Sequence, residues 1–143
     1  MNVVLFFGVS AIGTPGQKRF NRTYPTSKNV RLQLLNRSGT ITVEGWDRQA
    51  ISISAYMEAP SATLVPQSLS GTIIMDLVKE NQGRNVGNVN FNIRVPRTAV
   101  VDIETLIGNL RVTNINGGRV RAIITTEGDI ELTNITAHAV DAQ

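Results

Sequence analysis

The stretch that decides the fold is "IETLIGNLRVTNINGGRVRA", Ile103 to Ala122, followed at once by "IITTEGDIELTNITAHAVDA", Ile123 to Ala142. Laid one under the other without a gap, the blocks repeat Gly108 as Gly128, Thr113 as Thr133, Asn114 as Asn134 and Val120 as Val140. A third copy joins the register at Gly39, where "GTITVEGW", "GNLRVTNI" and "GDIELTNI" align. Within each copy the alternation is that of a β-strand. Ile41 and Val43, Leu110 and Val112, Ile130 and Leu132 share the face expected to point inward. Thr40, Thr42, Asn109, Arg111, Asp129 and Glu131 share the other. Further inward positions are read at Trp46, Ile115 and Ile135, and at the pairs Ile51 and Ile53, Val120 and Ala122, Val140 and Ala142.

A unit of about 20 residues made of short strands cannot bury its own apolar face, whereas stacked copies bury one continuous core. The expected fold class is therefore all-β: a single-stranded, right-handed β-solenoid-like stack of about 20-residue turns. A leucine-rich repeat shares the period, but the repeated positions here are Gly, Thr, Asn and Val, and no segment of the unit reads as a helix. The residues that define the turn and its ladders are Gly39, Gly108, Gly128, Thr113, Thr133, Asn114 and Asn134. With turns about 4.8 Å apart, residues one repeat apart become side-chain neighbours. That spacing sets Arg111 against Glu131 and Arg121 against Asp141 as inter-turn charge pairs.

Between the first and second copies the period breaks. "SATLVPQSLS", Ser61 to Ser70, reads as a loop or short irregular segment. "GTIIMDLVK" and "VNFNIRV" alternate clearly and are joined by the turn-rich "ENQGRNVGN". They are expected to form an inserted β-hairpin, with Val89, Phe91, Ile93 and Val95 on one face against Ile73, Met75 and Leu77. Pro96 should end its second strand.

Composition narrows the function classes. A chain of 143 residues with 41% hydrophobic and 17% charged residues suits one folded domain. The absence of cysteine excludes disulfides and thiolate metal sites. The net charge is +3, but the first 50 residues carry seven Lys or Arg against two acids, and the remainder seven against nine. Lys18, Arg19, Arg22, Lys28, Arg31, Arg37 and Arg48 are dispersed, without a basic run or a recognisable motif, so no nucleic-acid partner is expected. Residues 1–19 read as an N-terminal extension whose apolar run, Val3 to Ile12, is either a signal remnant or a packed strand. Residues 20–143 form the expected β domain.

A reactive constellation is hard to find. His138 is the only histidine, it replaces Gly118 at a repeat corner, and no Gly-x-Ser-x-Gly elbow exists. Asp102 and Glu104, like Asp129 and Glu131, alternate along a strand and share a face, which raises the question of a glycosidase pair. Asn109 and Arg111, one turn beneath, would engage Asp129 and Glu131 as structural partners and favour their charged forms, opposite to the need of a general acid. Trp46 is read as core or cap packing in preference to a sugar platform. No catalytic residue, metal ligand or cofactor is assigned.

Taken together, "NRSGTITVEGWDRQAISISA", the alternating segment ending "IRVPR" and "VVDIETLIGNLRVTNINGGRVRAIITTEGDIELTNI" resemble the bacterial DUF4097 family, also called the putative adhesin family. The Val95-Pro96 step, the Gly-Asp-Ile of residues 128–130 and the recurring glycine spacing carry the resemblance, which spans about Phe20 to Gln143. It implies a β-solenoid-like domain that is exported or envelope-associated, and it carries over no functional residue. It also implies more turns than the sequence holds, so residues 20–143 are expected to be C-terminally incomplete. The expected function is a non-enzymatic interaction or scaffold module, with an envelope protein or a glycan as partner. One alternative is a cytoplasmic scaffold that self-associates through open solenoid ends; the other is a carbohydrate-active β-helical enzyme.

Overall fold

The computed structural model describes residues 18–137 and 139–143. The expectations for Val3 to Ile12 and for His138 lie outside the described residues. The protein is all-β, built as two six-stranded mixed sheets that do not close on one another. Their inward residues form one apolar core.

The repeated sequence accounts for the centre of both sheets. Strands β1 (Lys18–Pro25), β2 (Arg31–Ser38), β3 (Ile41–Trp46) and β4 (Ala50–Met57) come first. They are followed by β5 (Gln67–Leu69), β6 (Thr72–Asp76), helix α1 (Leu77–Glu80) and β7 (Val89–Pro96). The chain ends with β8 (Val100–Ile107), β9 (Leu110–Ile115), β10 (Arg119–Glu127), β11 (Ile130–Ile135) and β12 (Ala139–Ala142). The first sheet has the order β11-β9-β3-β7-β4-β1 and the second β12-β10-β8-β2-β6-β5. The pairs β2/β3, β8/β9 and β10/β11 are successive tiers, each giving one strand to each sheet and turning the corner between them at Gly39, Gly108 or Gly128.

Tiers pair in parallel and in the register of the sequence alignment. Leu110 stands opposite Ile41 on one side and Ile130 on the other, and Val112 opposite Val43 and Leu132. In the second sheet Val101 stands between Leu32 and Val120, and Val120 is followed by Val140. Because opposite residues share a face, each inward column is apolar from tier to tier. Ile41, Val43, Leu110, Val112, Val101 and Val120 are all buried. Among the described residues the last tier has a neighbouring tier on one side only. Ile130, Leu132 and Ile135 are only partly buried, and Val140 is 50% exposed.

Three expectations need correction. The segments 72–76 and 89–95 are not a hairpin. β6 pairs with β2 in the second sheet, while β7 pairs with β3 and β4 in the first. They form another tier, set beneath β2/β3, with Ile73 opposite Leu32 and Phe91 opposite Ile41. Their apolar faces do meet, but across the core. A hairpin and a tier bury the same alternating positions, so alternation alone does not separate them.

Ile51 and Ile53 are buried, yet they do not stack on Val120 and Ala122. Their strand, β4, lies in the first sheet, antiparallel to β7, and β1 adds antiparallel to its far side. The parallel stack thus passes into an antiparallel end.

Trp46 faces outward with Thr42 and Glu44, partly exposed, while Ile115 is buried. The cause is the residue before it. Asn114 has φ +59°, a left-handed step that interrupts the alternation and returns Ile115 to the core. Gly45, at the aligned position, keeps its strand regular.

The connection between β6 and β7 is organised by Asn81, which is fully buried. Its Oδ1 accepts from Thr63 N at 2.7 Å, and its Nδ2 donates to the carbonyls of Thr63 and Leu77 at 3.0 and 2.8 Å. Pairing every polar atom in this way is what lets an amide sit in the interior.

Leu110→Ala removes a side chain enclosed by tiers on both sides and should cost about 2–5 kcal/mol in urea unfolding. Ile130→Ala, in the less covered last tier, should cost clearly less. Equal losses at the two positions would contradict the difference in packing.

Candidate functional site

Close backbone approach fixes the corner between the sheets. Gly39, Gly108 and Gly128 have φ of +130°, +132° and +151°. A Cβ on Gly108 would stand 1.9 Å from the carbonyl oxygen of Gly39, and one on Gly128 1.6 Å from that of Gly108. Only glycine meets both demands. The amide of Gly39 donates to Ile107 O at 3.0 Å and that of Gly108 to Glu127 O at 2.9 Å, tying each corner to the next.

The other repeat residues lie where neighbouring tiers touch. Asn114 and Asn134 both have left-handed φ, +59° and +54°, and Asn134 Nδ2 donates to Asn114 Oδ1 at 2.7 Å. Thr113 and Thr133 are register partners. Arg111 Nε lies 2.8 Å from Glu131 Oε1, with both side chains mostly exposed. Arg121 is the register partner of Asp141, but its guanidinium turns to the preceding tier, 2.8 Å from Asp102 and 3.9 Å from Glu104. The hydrogen bond to Asp102 pushes the Arg121 pKa still higher. Asp141 instead accepts from Gln143 Nε2 at 3.0 Å.

The Arg111–Glu131 pair is part of a continuous polar face. Along the first sheet, Glu131, Arg111, Thr42, Asn92, Ser54 and Asn21 occupy one register row across all six strands. A second row holds Thr133, Thr113, Glu44, Arg94, Ser52 and Thr23. Every residue in both rows points away from the core. A cleft of about 380 Å³ lies over β3, β9 and β11, lined by Thr40, Asn109, Arg111, Asp129 and Glu131 among others. Two smaller hollows of about 250 Å³ each lie over β1, β4 and β7, sharing Ser54 and Asn92. One is also lined by Ser52 and Arg94, the other by Arg19, Asn21, Tyr56 and Asn90.

 A hollow of about 190 Å³ lies over the second sheet, lined by Asp76, Asp102, Glu104 and Arg121 among others.

Neither acidic pair is arranged for glycoside cleavage. Asp129, just before β11, and Glu131, on it, both line the 380 Å³ cleft from the same end of one strand, and Arg111 holds Glu131. Asp102 and Glu104 are likewise on one strand, and both lie within ion-pairing distance of Arg121. Among the described residues no three His, Cys, Asp or Glu side chains gather into a metal site, and no helix is long and apolar enough to cross a membrane. The hollows over β1, β4 and β7 escaped the sequence reading because they depend on β4 and β7 pairing. The alternating polar residues Ser52, Ser54, Asn90, Asn92 and Arg94 were the available signal.

Two measurements test these electrostatics. Exchanging the partners as Arg111→Glu with Glu131→Arg should be tolerated better than either single reversal, with a coupling of about 0.2–1 kcal/mol that weakens in high salt. Strictly additive effects in urea unfolding would contradict the pair.

Glu80, at the end of α1, is the carboxyl most disturbed by its surroundings. Burial pushes its pKa up, a hydrogen bond from Val65 N at 3.2 Å opposes the shift, and Asp76 adds to it. A carboxyl with a raised folded pKa holds its proton more tightly folded than unfolded, so it costs stability above that pKa. Glu80→Gln keeps an oxygen for Val65 and should raise the melting temperature near about pH 7. The gain should shrink as the pH falls through the folded pKa toward the unfolded one. A gain independent of pH would contradict this assignment.

No protein-family model and no curated protein matches the chain. Among solved structures it is similar to a putative cell adhesion protein from Clostridium sporogenes ATCC 15579, at 9% identity and a TM-score of 0.47, covering 88% of this chain and 98% of that one. It is also similar to a putative adhesin from Bacteroides fragilis NCTC 9343, at 8% identity and a TM-score of 0.38, covering 88% and 97%. Likenesses of this size transfer no functional residue to the chain.

Proposed function

We propose that the protein is a non-enzymatic interaction module of the cell envelope, a β-solenoid-like stack akin to the DUF4097 family, whose contact surface is the outer face of the first sheet. The observation that carries this reading is the unbroken polar row from Glu131 to Asn21, presented on a rigid sheet with an apolar core behind it. Polar side chains held in register by the sheet favour recognition, since little backbone freedom is lost when a partner lands. The acidic pairs, engaged by arginines on one side only, fit a structural role better than turnover.

A second reading, a cytoplasmic self-assembling scaffold, draws on the edges of β11 and β12, which pair on one side only among the described residues. Against it stands the opposite end of the first sheet. On β1, Lys18 and Arg22 are register partners of the buried Met57 and Ile53, so they point toward the core side of an edge strand. Inward charges of this kind block the addition of another strand. Light scattering should find the same particle size across concentration, and growth with concentration would favour the scaffold.

Fractionation of the source bacterium, combined with protease access to intact cells, tests the main reading. The protein should be recovered outside the cytoplasmic membrane; recovery in the cytosol would overturn the envelope assignment.

A further inference from the structure

The outer face of the first sheet is not uniform. Over β3, β9 and β11 its charges are matched, Arg111 with Glu131, and Asp129 adds a further acid. Over β1, β4 and β7 it is rich in donors. Arg19 and Arg94 flank a floor of Asn21, Ser52, Ser54 and Asn92. Arg19 lies over the Tyr56 ring, 5.3 Å from its centroid, which holds the guanidinium above the larger group of polar side chains. Arg94 touches Glu44 only loosely, at 3.5 Å, and its side chain is 52% exposed.

Several donors there have no partner among the described residues. Ser54 Oγ donates to Asn21 Oδ1 at 2.7 Å, leaving the Asn21 amide nitrogen free. Among the described residues Ser52 and Asn92 make no side-chain hydrogen bond. The nearest carboxylates are already engaged: Glu44 by Arg94, and Glu58 by Asn88 and Asn90. Donors without nearby free acceptors attract a ligand that is both anionic and rich in oxygen.

The spacing narrows the class. Asn21, Ser54 and Asn92 lie in one register row on adjacent strands. Adjacent strands are about 4.8 Å apart, close to the length of one pyranose residue. A sugar chain lying across the strands would therefore meet a fresh amide or hydroxyl at each residue, with a guanidinium on either side of the row. An acidic peptide has a different repeat and would pair along a strand edge rather than lie across the strands of a sheet face.

We propose that this face, over β1, β4 and β7, binds an anionic polysaccharide carrying carboxylate or sulfate groups. The inference rests on the interaction-module reading and names the ligand class of its contact surface.

Affinity electrophoresis of the full chain against polygalacturonate, dextran sulfate, neutral dextran and polyglutamate tests it. At least one anionic polysaccharide should retard the protein, less strongly in high salt, while neutral dextran and polyglutamate should not. Arg19→Ala with Arg94→Ala should weaken binding roughly tenfold or more, the loss expected for charge-assisted hydrogen bonds. Asn92→Asp should weaken it too, by placing a carboxylate among the donors. Arg119→Ala removes an exposed positive charge from the second sheet and should leave binding nearly unchanged. Circular dichroism of each variant checks that the fold is retained.

Equal weakening by Arg119→Ala would reveal attraction to net charge alone and overturn the assignment. Equal retardation by polyglutamate would overturn the saccharide class, and absence of binding to either anionic polysaccharide would overturn the ligand class altogether. Such failures, with the protein still found in the envelope, leave the interaction-module reading standing. Cytosolic recovery removes that reading whatever the gels report.

Discussion

Everything in this protein depends on how closely one tier can approach the next at Gly39, Gly108 and Gly128. At each corner the α-carbon of one tier sits where a side chain would collide with the carbonyl oxygen of the tier before it. This approach brings the inter-tier hydrogen bonds into range and sets Ile41, Leu110 and Ile130 in one column. If the corners were held apart, the strands on both sides would lose their pairing together. The core is therefore a product of backbone contact at the corners as much as of apolar side chains.

The outer face inherits its order from the same constraint. Register fixed at the corners is register fixed across the sheet, so Arg111 meets Glu131 and Asn114 meets Asn134. At the far end the antiparallel strands β4 and β1 extend these rows without belonging to the repeat. The sheet thus carries self-matched side chains at one end and unengaged donors at the other. Repeated sequence favours the first, since each copy satisfies its neighbour, and only the non-repeating strands leave donors for something else.

How much of this was legible follows from which interactions are local to the repeat. The glycine spacing, the Ile41, Leu110 and Ile130 column and the short reach from Arg111 to Glu131 could all be read from matching positions of the repeated copies. The tier β6/β7 could not, because its partners, β2 and β3, lie far upstream, and a hairpin would have produced the same alternation. Trp46 misled for a subtler reason: one left-handed asparagine, Asn114, shifts the inward position in the second copy, and the aligned Gly45 makes no such step. Arg121 had acids on both neighbouring tiers, and Asp102 on the preceding tier took the ion pair that spacing alone had offered to Asp141. The donor-rich hollows required the pairing of β4 with β7 and of β1 with β4, which no periodicity announces.

The order of tiers in space differs from their order in the chain. β2/β3 is made first, yet it lies between β6/β7 and β8/β9. A duplication of one repeat unit between Gly108 and Gly128 would lengthen the stack and meet like surfaces above and below. The same duplication beside β6/β7 would separate strands that hold the antiparallel end in place. Growth of such a protein over evolutionary time is therefore directional: new units enter on the repetitive side, while the non-repeating side, with its arginines and free amides, stays as it is.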